Sequence, residues 1–270
     1  MTTGSAFLDR IIAAKRDAMS SLTREARGAA HDAALLSAFD RPREHAFLQA
    51  LGRNDRTNII AEVKRSSPSV GVIHETANAA QTAALYERAG AAAISVLTEP
   101  DFFKGSLQDL RDVAVTAHVP LLRKDFTVDR HQIYEAVASG ASAILLIVAA
   151  LSAPELRDLR EIAEDEFGLD ALVEAHTEDE VRAALDSGAT IIGVNNRNLQ
   201  TLEVSLETSQ QLSRHIVSEK VFVSESGIKT PADVAMLRSC GYRAFLVGET
   251  LMRAADPSEA LRALARGAGQ

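Results

Sequence analysis

Residues 119–148 read VPLLRKDFTVDRHQIYEAVASGASAILLIV, and three local patterns follow one another within them. Val119–Leu122 is a short apolar run headed by a β-branched residue. A stretch long enough for one helix comes next and stops at Ser139-Gly140, where glycine supplies the left-handed turn that commonly ends a helix. Ser142–Val148 is then a second apolar, β-branched run, the pattern of a buried strand. Strand, helix and strand in this order form the repeating unit of a parallel sheet.

Outward from this unit the same order recurs in type though not in sequence. Strands are expected at Asn58–Val63, Ala92–Leu97, Val119–Leu122, Ser142–Val148, Asp170–Val173, Thr190–Val194, Lys220–Val223 and Arg243–Val247. Helices between them stop at Ala89-Gly90, Ser139-Gly140, Ser187-Gly188 and Cys240-Gly241. Eight such units predict a (β/α)8 TIM barrel in the α/β class. The alternative, an open doubly wound sheet, carries a G-x-G-x-x-G turn after its first strand, and this sequence has none there. Before the barrel, Phe7, Ile11, Ile12, Met19 and Leu22 recur at helical intervals in a pattern that continues to Leu51, and a polar stretch, Gly52–Thr57, follows. One domain is therefore expected over 1–270: an N-terminal helical extension at 1–57, lying outside the barrel over one end, a barrel core at 58–255, and a C-terminal helix and tail at 256–270.

Composition fits that reading. Of 270 residues, 46% are apolar and 24% charged, with no Trp; an Ala-, Leu-, Val- and Ile-rich chain suits strands buried on both faces. The formal charge of −8 argues against a nucleic-acid surface, which needs basic patches. The single cysteine, Cys240, reads as a buried structural thiol and fits a reducing cytoplasm. Charges interrupt MTTGSAFLDRIIAAKRDAM, so neither a signal peptide nor a membrane span is expected.

A barrel of this kind places its chemistry at the C-terminal ends of its strands. Side chains alternate along a strand, so Ile60, Glu62 and Lys64 share a face, and with Ile60 inward both ionisable groups point to the mouth. Such a pair is either a structural salt bridge or working machinery. Leu122 and Lys124 share a face on the third strand while Arg123 points away; Lys124 is either a solvated strand end or part of the site. The fifth strand delivers Glu174 beside Leu172. Asn195 and Arg197 follow the sixth, though an Asn195-Asn196 pair also suits a plain turn. Glu225, Ser226 and Gly227 end the seventh, and Gly248 and Glu249 the eighth. Converging carboxylates and lysines would shift one another's pKa values.

Phosphate is suggested by Gly227 and Gly248, since loops after strands seven and eight often bind it through backbone N–H groups at a short helix N-terminus; ordinary turns are the plain alternative. The Ser66-Ser67-Pro68-Ser69 loop offers further donors. Phe102 or Phe103 would close an apolar side, and Leu145 and Ile147 are possible lining. His176 reads as a surface or capping residue, the acidic run Glu161–Glu166 as a solvated helix face, and no metal-ligand spacing is present.

IIAEVKRSSPSVG, LLRKDF, ALVEAHTEDE, IIGVNNRNLQTLEV, VSESGI and FLVGETLM resemble, in order, motifs of the indole-3-glycerol-phosphate synthase family, over about residues 7–255. The resemblance implies a carboxy-lyase of tryptophan biosynthesis that needs no cofactor or metal. Its substrate is the small phosphorylated molecule 1-(2-carboxyphenylamino)-1-deoxyribulose 5-phosphate, with neither nucleic acid nor membrane as partner and a monomer favoured. It implies Lys124 as general acid for ring closure. Lys64 would hold the substrate carboxylate and help expel the hydroxyl, with Glu62 as base and Glu174 orienting or shuttling protons. Asn195 and Arg197 would bind substrate, Glu225 and Ser226 belong to the strand-seven site, and Ser67, Gly227 and Gly248 to the phosphate grip. Phe126 and Leu145 would border the aromatic ring. Glu249 departs from expectation, because a small hydroxyl residue would suit phosphate better; either it points away or Thr250 serves.

The nearest rival is phosphoribosylanthranilate isomerase, another barrel, with an Asp acid and a Cys base. Cys240 is misplaced for that, and the first strand carries Glu and Lys. A non-catalytic phosphate-binding barrel would have no use for facing acids and bases.

Overall fold

Eight parallel strands, nearly all of their residues buried, close on themselves: β1 (Asn58–Val63), β2 (Ala93–Leu97), β3 (Leu121–Lys124), β4 (Ala143–Ile147), β5 (Asp170–Ala175), β6 (Ile191–Asn195), β7 (Val221–Glu225) and β8 (Ala244–Val247), with β8 paired to β1. This computed structural model describes residues 5–40, 45–68, 70–198 and 201–266; Ser69 of the serine loop lies outside them. The period-two rule sorts the strand residues as expected. Ile60, Leu122, Leu145, Leu172, Val223 and Leu246 fill the barrel's interior, while Ile59, Ala61, Ile144, Val173, Phe222 and Phe245 meet the surrounding helices.

All eight expected strands are present, but boundaries on four of them differ in an instructive way. The third begins at Leu121 rather than Val119, because Pro120 has no N–H to give a ladder. It runs on through Arg123 and Lys124, which pair with Val96 and Leu97. β5 continues past Val173 to Ala175 and β7 past Val223 to Glu225. Polar residues sit inside the ladder in each case, since backbone pairing is indifferent to side-chain polarity. β4 is shorter than expected, with Val148–Ala150 forming a single 3-10 turn.

Helices α4 (Ala79–Arg88), α5 (Leu107–Ala114), α6 (Arg130–Ala138), α7 (Ala153–Glu161), α8 (Glu178–Asp186), α9 (Glu207–Leu212) and α10 (Pro231–Ser239) follow successive strands, and α11 (Glu249–Arg253) and α12 (Pro257–Arg266) both follow β8. Their starts are chemically set. Asn78, Ser106, Asp129, Ser152, Thr177 and Thr230 each accept a backbone N–H in the first turn of the helix they precede, and each such cap stabilises by about 1 kcal/mol. The expected stops at Gly90, Gly140, Gly188 and Gly241 all take positive φ.

The N-terminal extension comprises α1 (Ser5–Ser20), α2 (Arg24–Asp40) and α3 (Ala46–Leu51), which precede the barrel strands but reach both ends rather than one. α3 inserts the fully buried Phe47 and Leu51 among the interior side chains at the N-terminal end. Burial of each is worth about 1.5–3 kcal/mol. α1 lies at the opposite end. Its Lys15 Nζ is 2.7 Å from Asp125 at the exit of β3 and its Arg16 2.8 Å from Glu155, while Phe7 meets Phe102 edge-on at 5.0 Å.

Two minor expectations are corrected. The run Glu161–Glu166 is solvated only in part: residues 162–166 form a π turn that buries Glu164 against Arg160. Cys240 is half-buried, not fully so.

Candidate active site

Side chains from β1, β3, β5 and β7 meet inside the barrel's C-terminal mouth. Lys124 stands between two carboxylates, its Nζ 2.9 Å from Glu174 Oε2 and 3.0 Å from Glu225 Oε2. On the facing strand Lys64 Nζ lies 3.0 Å from Glu62 Oε2. Three carboxylates thus confront two ammonium groups, and the imbalance shows in their protonation. Burial pulls the Lys124 ammonium down, but Glu174, Glu225 and Glu62 together outweigh it and hold the lysine above its ordinary value. Glu174 resists burial because Lys124 and His176 are beside it, and it is held well below the usual carboxylate range. Glu225 goes the other way. Burial and its carboxylate neighbours push it up to about 7 despite Lys124, and neither of its buried oxygens makes a hydrogen bond of ordinary geometry. A charged donor, an ionised carboxylate and a carboxyl poised between forms therefore stand side by side.

Two bare glycines make room for these carboxylates. A Cβ on Gly193 of β6 would sit 2.1 Å from Glu225 Oε1, and one on Gly248 would sit 2.6 Å from Glu62 Oε2. Gly193 was not singled out from the sequence, although a glycine inside a strand signals a close approach. Gly248 was singled out for phosphate, and it also serves Glu62.

Above the charged floor lies a cavity lined by Glu62, Lys64, Ser67, Lys124, Phe126, Leu145, Glu174, Asn195, Arg197, Glu225 and Ser226. The expected residues are thus brought together there. The same cavity takes in Phe7, Phe103 and Ile147. Phe103 is held by Glu99, whose buried carboxylate accepts the backbone N–H groups of Asp101, Phe102 and Phe103 at 3.1, 2.8 and 3.1 Å. Of the asparagine pair, Asn195 faces the cavity and accepts the Arg197 N–H at 2.9 Å. Asn196 is buried and structural, donating to Ser224 Oγ and the Ser226 carbonyl and accepting from Ser209 N–H.

A second chamber adjoins the first, sharing Glu62, Lys64, Arg197, Ser226 and Leu246. Gly227, Gly248, Glu249 and Thr250 line it, as do two cations unread from the sequence, Lys229 and Arg253. Gly248 directly precedes the short α11. Ser67, expected in the phosphate grip, lines the first chamber and not this one. Glu249 turns to Arg253, 3.2 Å away, and the Thr250 hydroxyl donates to the Ile228 carbonyl at 2.7 Å, fastening the loops after β7 and β8 together. His176 is neither a surface residue nor a cap. Its side chain is half-buried, between Glu174 and Glu180. Among the described residues no group of three or more His, Cys, Asp or Glu side chains is arranged to hold a metal ion, and no helix is long and apolar enough to cross a membrane.

The family model described as indole-3-glycerol phosphate synthase matches residues 8–264. A curated relative of that description from Ruminiclostridium cellulolyticum is 50% identical over 219 residues, 81% of this chain and 84% of that one. Another, from Aromatoleum aromaticum, is 44% identical over 262 residues, 96% and 99% of the two chains. Among solved structures, thiamine phosphate pyrophosphorylase from Pyrococcus furiosus superposes with a TM-score of 0.59 at 15% identity, covering 77% of this chain and 93% of its own. That likeness is one of fold.

Proposed function

The chain belongs to the indole-3-glycerol phosphate synthase family, and from that premise we propose how its barrel mouth carries the reaction. The enzyme converts 1-(2-carboxyphenylamino)-1-deoxyribulose 5-phosphate to indole-3-glycerol phosphate, a step of tryptophan biosynthesis. One observation carries the assignment of roles: the Lys124 ammonium, flanked by Glu174 and Glu225 at 2.9 and 3.0 Å, opposes the Glu62–Lys64 pair across one cavity.

Ring closure begins when the carboxylate-bearing aromatic carbon attacks the ketone carbon, leaving charge on the ketone oxygen. Lys124, held protonated by its carboxylates, donates to that oxygen. Ionised Glu174 beside it orients the ammonium and favours its taking up a proton again once it has given one away. Loss of CO2 from the ring carbon that made the attack restores aromaticity, with Lys64 gripping the carboxylate until it leaves. Dehydration then needs an acid on the departing hydroxyl and a base on the adjacent carbon's proton, and Lys64 and Glu62 supply them. Phe126, Leu145 and Phe103 give the aromatic ring an apolar wall, Asn195, Arg197, Ser67 and Ser226 hold the polyol, and Glu225 tunes Lys124.

We assign the phosphate to the second chamber, between the loops after β7 and β8. The N–H groups about Gly227 and Gly248 approach it closely, and Lys229 and Arg253 bring charge. Lys229→Ala and Arg253→Ala are expected to raise KM at least about tenfold, the equivalent of ~1.4 kcal/mol of binding, with kcat little changed. Gly248→Val should damage both constants, because its Cβ also meets Glu62. Equal protection of variants and unchanged protein from thermal unfolding by inorganic phosphate would move the site elsewhere.

The reaction itself is tested by fluorescence. Indole emission is expected on adding substrate to protein treated with chelator and free of nucleotide, and its absence would overturn the assignment. We place the enzyme in the cytoplasm, in keeping with a single cysteine, and take 58–255 as the core to which 1–57 and 256–270 are appended.

A further inference from the structure

The Glu174 carboxylate is divided between two partners. Oε2 faces Lys124 at 2.9 Å, whereas Oε1 faces His176 Nε2 at 3.5 Å. The imidazole's other nitrogen, Nδ1, lies 3.3 Å from Glu180 Oε2, and the same oxygen accepts the His176 backbone N–H at 2.7 Å. Glu180 belongs to the first turn of α8, whose start is capped by Thr177. His176 thus stands between the end of β5 and the start of α8, with 12% of its side chain exposed against 2% for Glu174. It lines neither chamber, so it does not reach substrate.

We propose that His176 is a positioning residue for Glu174: fixed by Glu180 through Nδ1, its ring holds Oε1 and keeps Oε2 on Lys124 while protons pass through the lysine. A glutamate has three side-chain torsions, and a single contact at one oxygen would let the carboxylate swing. Contacts at both oxygens from different elements remove that freedom. Nε2 is buried 3.5 Å from Oε1 without a hydrogen bond of ordinary geometry, so it holds that oxygen by charge, and only the doubly protonated ring attracts both carboxylates at once. The groups facing it are all acidic: Glu174 from β5, Glu180 from α8 and, further off, Glu225 from β7. Burial lowers the tendency of His176 to hold its proton, and these carboxylates reverse that, leaving it above the ordinary histidine value. A charged His176 in turn favours ionised Glu174.

This inference rests on the reading of Glu174 as the carboxylate serving Lys124, and two readouts keep the claims apart. The first is independent of turnover: in NMR titration of the imidazoles, His176 is expected to lose its proton at a lower pH in Glu174→Gln than in the unchanged enzyme. The second is the pH profile of kcat. With His176→Gln the facing charge is gone, Glu174 protonates more readily, and the acidic limb moves up by about one pH unit, the scale expected for one nearby opposite charge. KM should stay within about twofold. Glu180→Gln, remote from substrate, should move the limb the same way by less, and it serves should His176→Gln fold poorly. A fall in Tm with an unmoved acidic limb in both variants, and a His176 titration blind to Glu174→Gln, would reduce His176 to a helix-start contact and overturn the proposal. Near-normal turnover of Glu174→Gln would overturn instead the premise about Glu174, whatever His176 does.

Discussion

Lys124→Met is expected to turn over at least about 10²-fold more slowly than the unchanged enzyme, the usual worth of a general acid, while its barrel remains closed. Methionine keeps most of the length and the apolar stem of lysine, so the packing of β3 between β2 and β4 is retained. The donor is lost, and nothing else at the mouth replaces it: Lys64 is engaged with Glu62 at 3.0 Å on the facing strand. Removal also leaves Glu174 and Glu225 buried together without the cation between them. An orphaned buried charge costs about 3–5 kcal/mol, and two carboxylates in one pocket relieve part of that cost by taking up a proton. The variant should therefore bind a proton on losing the lysine, and its Tm should fall more at high pH than at low pH. Turnover followed by product fluorescence, with circular dichroism across pH, checks both parts. Near-normal kcat in a folded variant would remove Lys124 from the chemistry.

Glu62→Gln is expected to separate two steps that the unchanged enzyme runs together. Decarboxylation needs Lys124 and Lys64 but no base on β1, whereas dehydration requires one. The amide keeps the shape of the carboxylate over the bare Gly248 and can still accept from Lys64, so binding should survive. In single turnover CO2 release should stay within a few-fold of normal and indole emission should lag by about 10² or more, again the scale of one acid–base group. CO2 and indole slowing in step would transfer the base role to Glu174.

The barrel and the polar floor of its mouth were legible because both follow from short-range rules. Alternation along β1 placed Glu62 and Lys64 on the face of Ile60, and the same rule turned Lys124 and Glu174 inward and Arg123 outward. Arg123 is indeed buried behind β3, donating to the Gln132 carbonyl at 2.6 Å. What stayed hidden depends on contacts between distant parts of the chain. Phe7 enters the cavity because α1 is pinned by Lys15 to Asp125, a pairing across more than a hundred residues that no periodicity announces. Lys229 and Arg253 carry no local sign, since each is a lone cation in its stretch of sequence and only the folding of the loops after β7 and β8 brings both to one chamber. His176 reads as a surface or capping residue because no second metal ligand stands near it in sequence, and its partial burial follows from the way α8 folds back over the end of β5. Gly193 alone carried a usable local sign, a glycine in the middle of an Ile- and Val-rich strand.

The two bare positions also constrain how such a sequence can change over time. Gly193 can gain a methyl group only if the Glu225 carboxylate leaves its present place, because the added carbon would lie 2.1 Å from Oε1. Once Glu225 has shortened, the space opens, and a restored longer acid can no longer place its carboxylate where it now lies. Gly248 and Glu62 form a second such lock across the β8–β1 seam. The order of substitution decides which routes are passable, and each lock turns in one direction more easily than the other. A chain that had lost both acids and filled both gaps could keep the barrel, yet its way back to these carboxylates would lead through the glycines first.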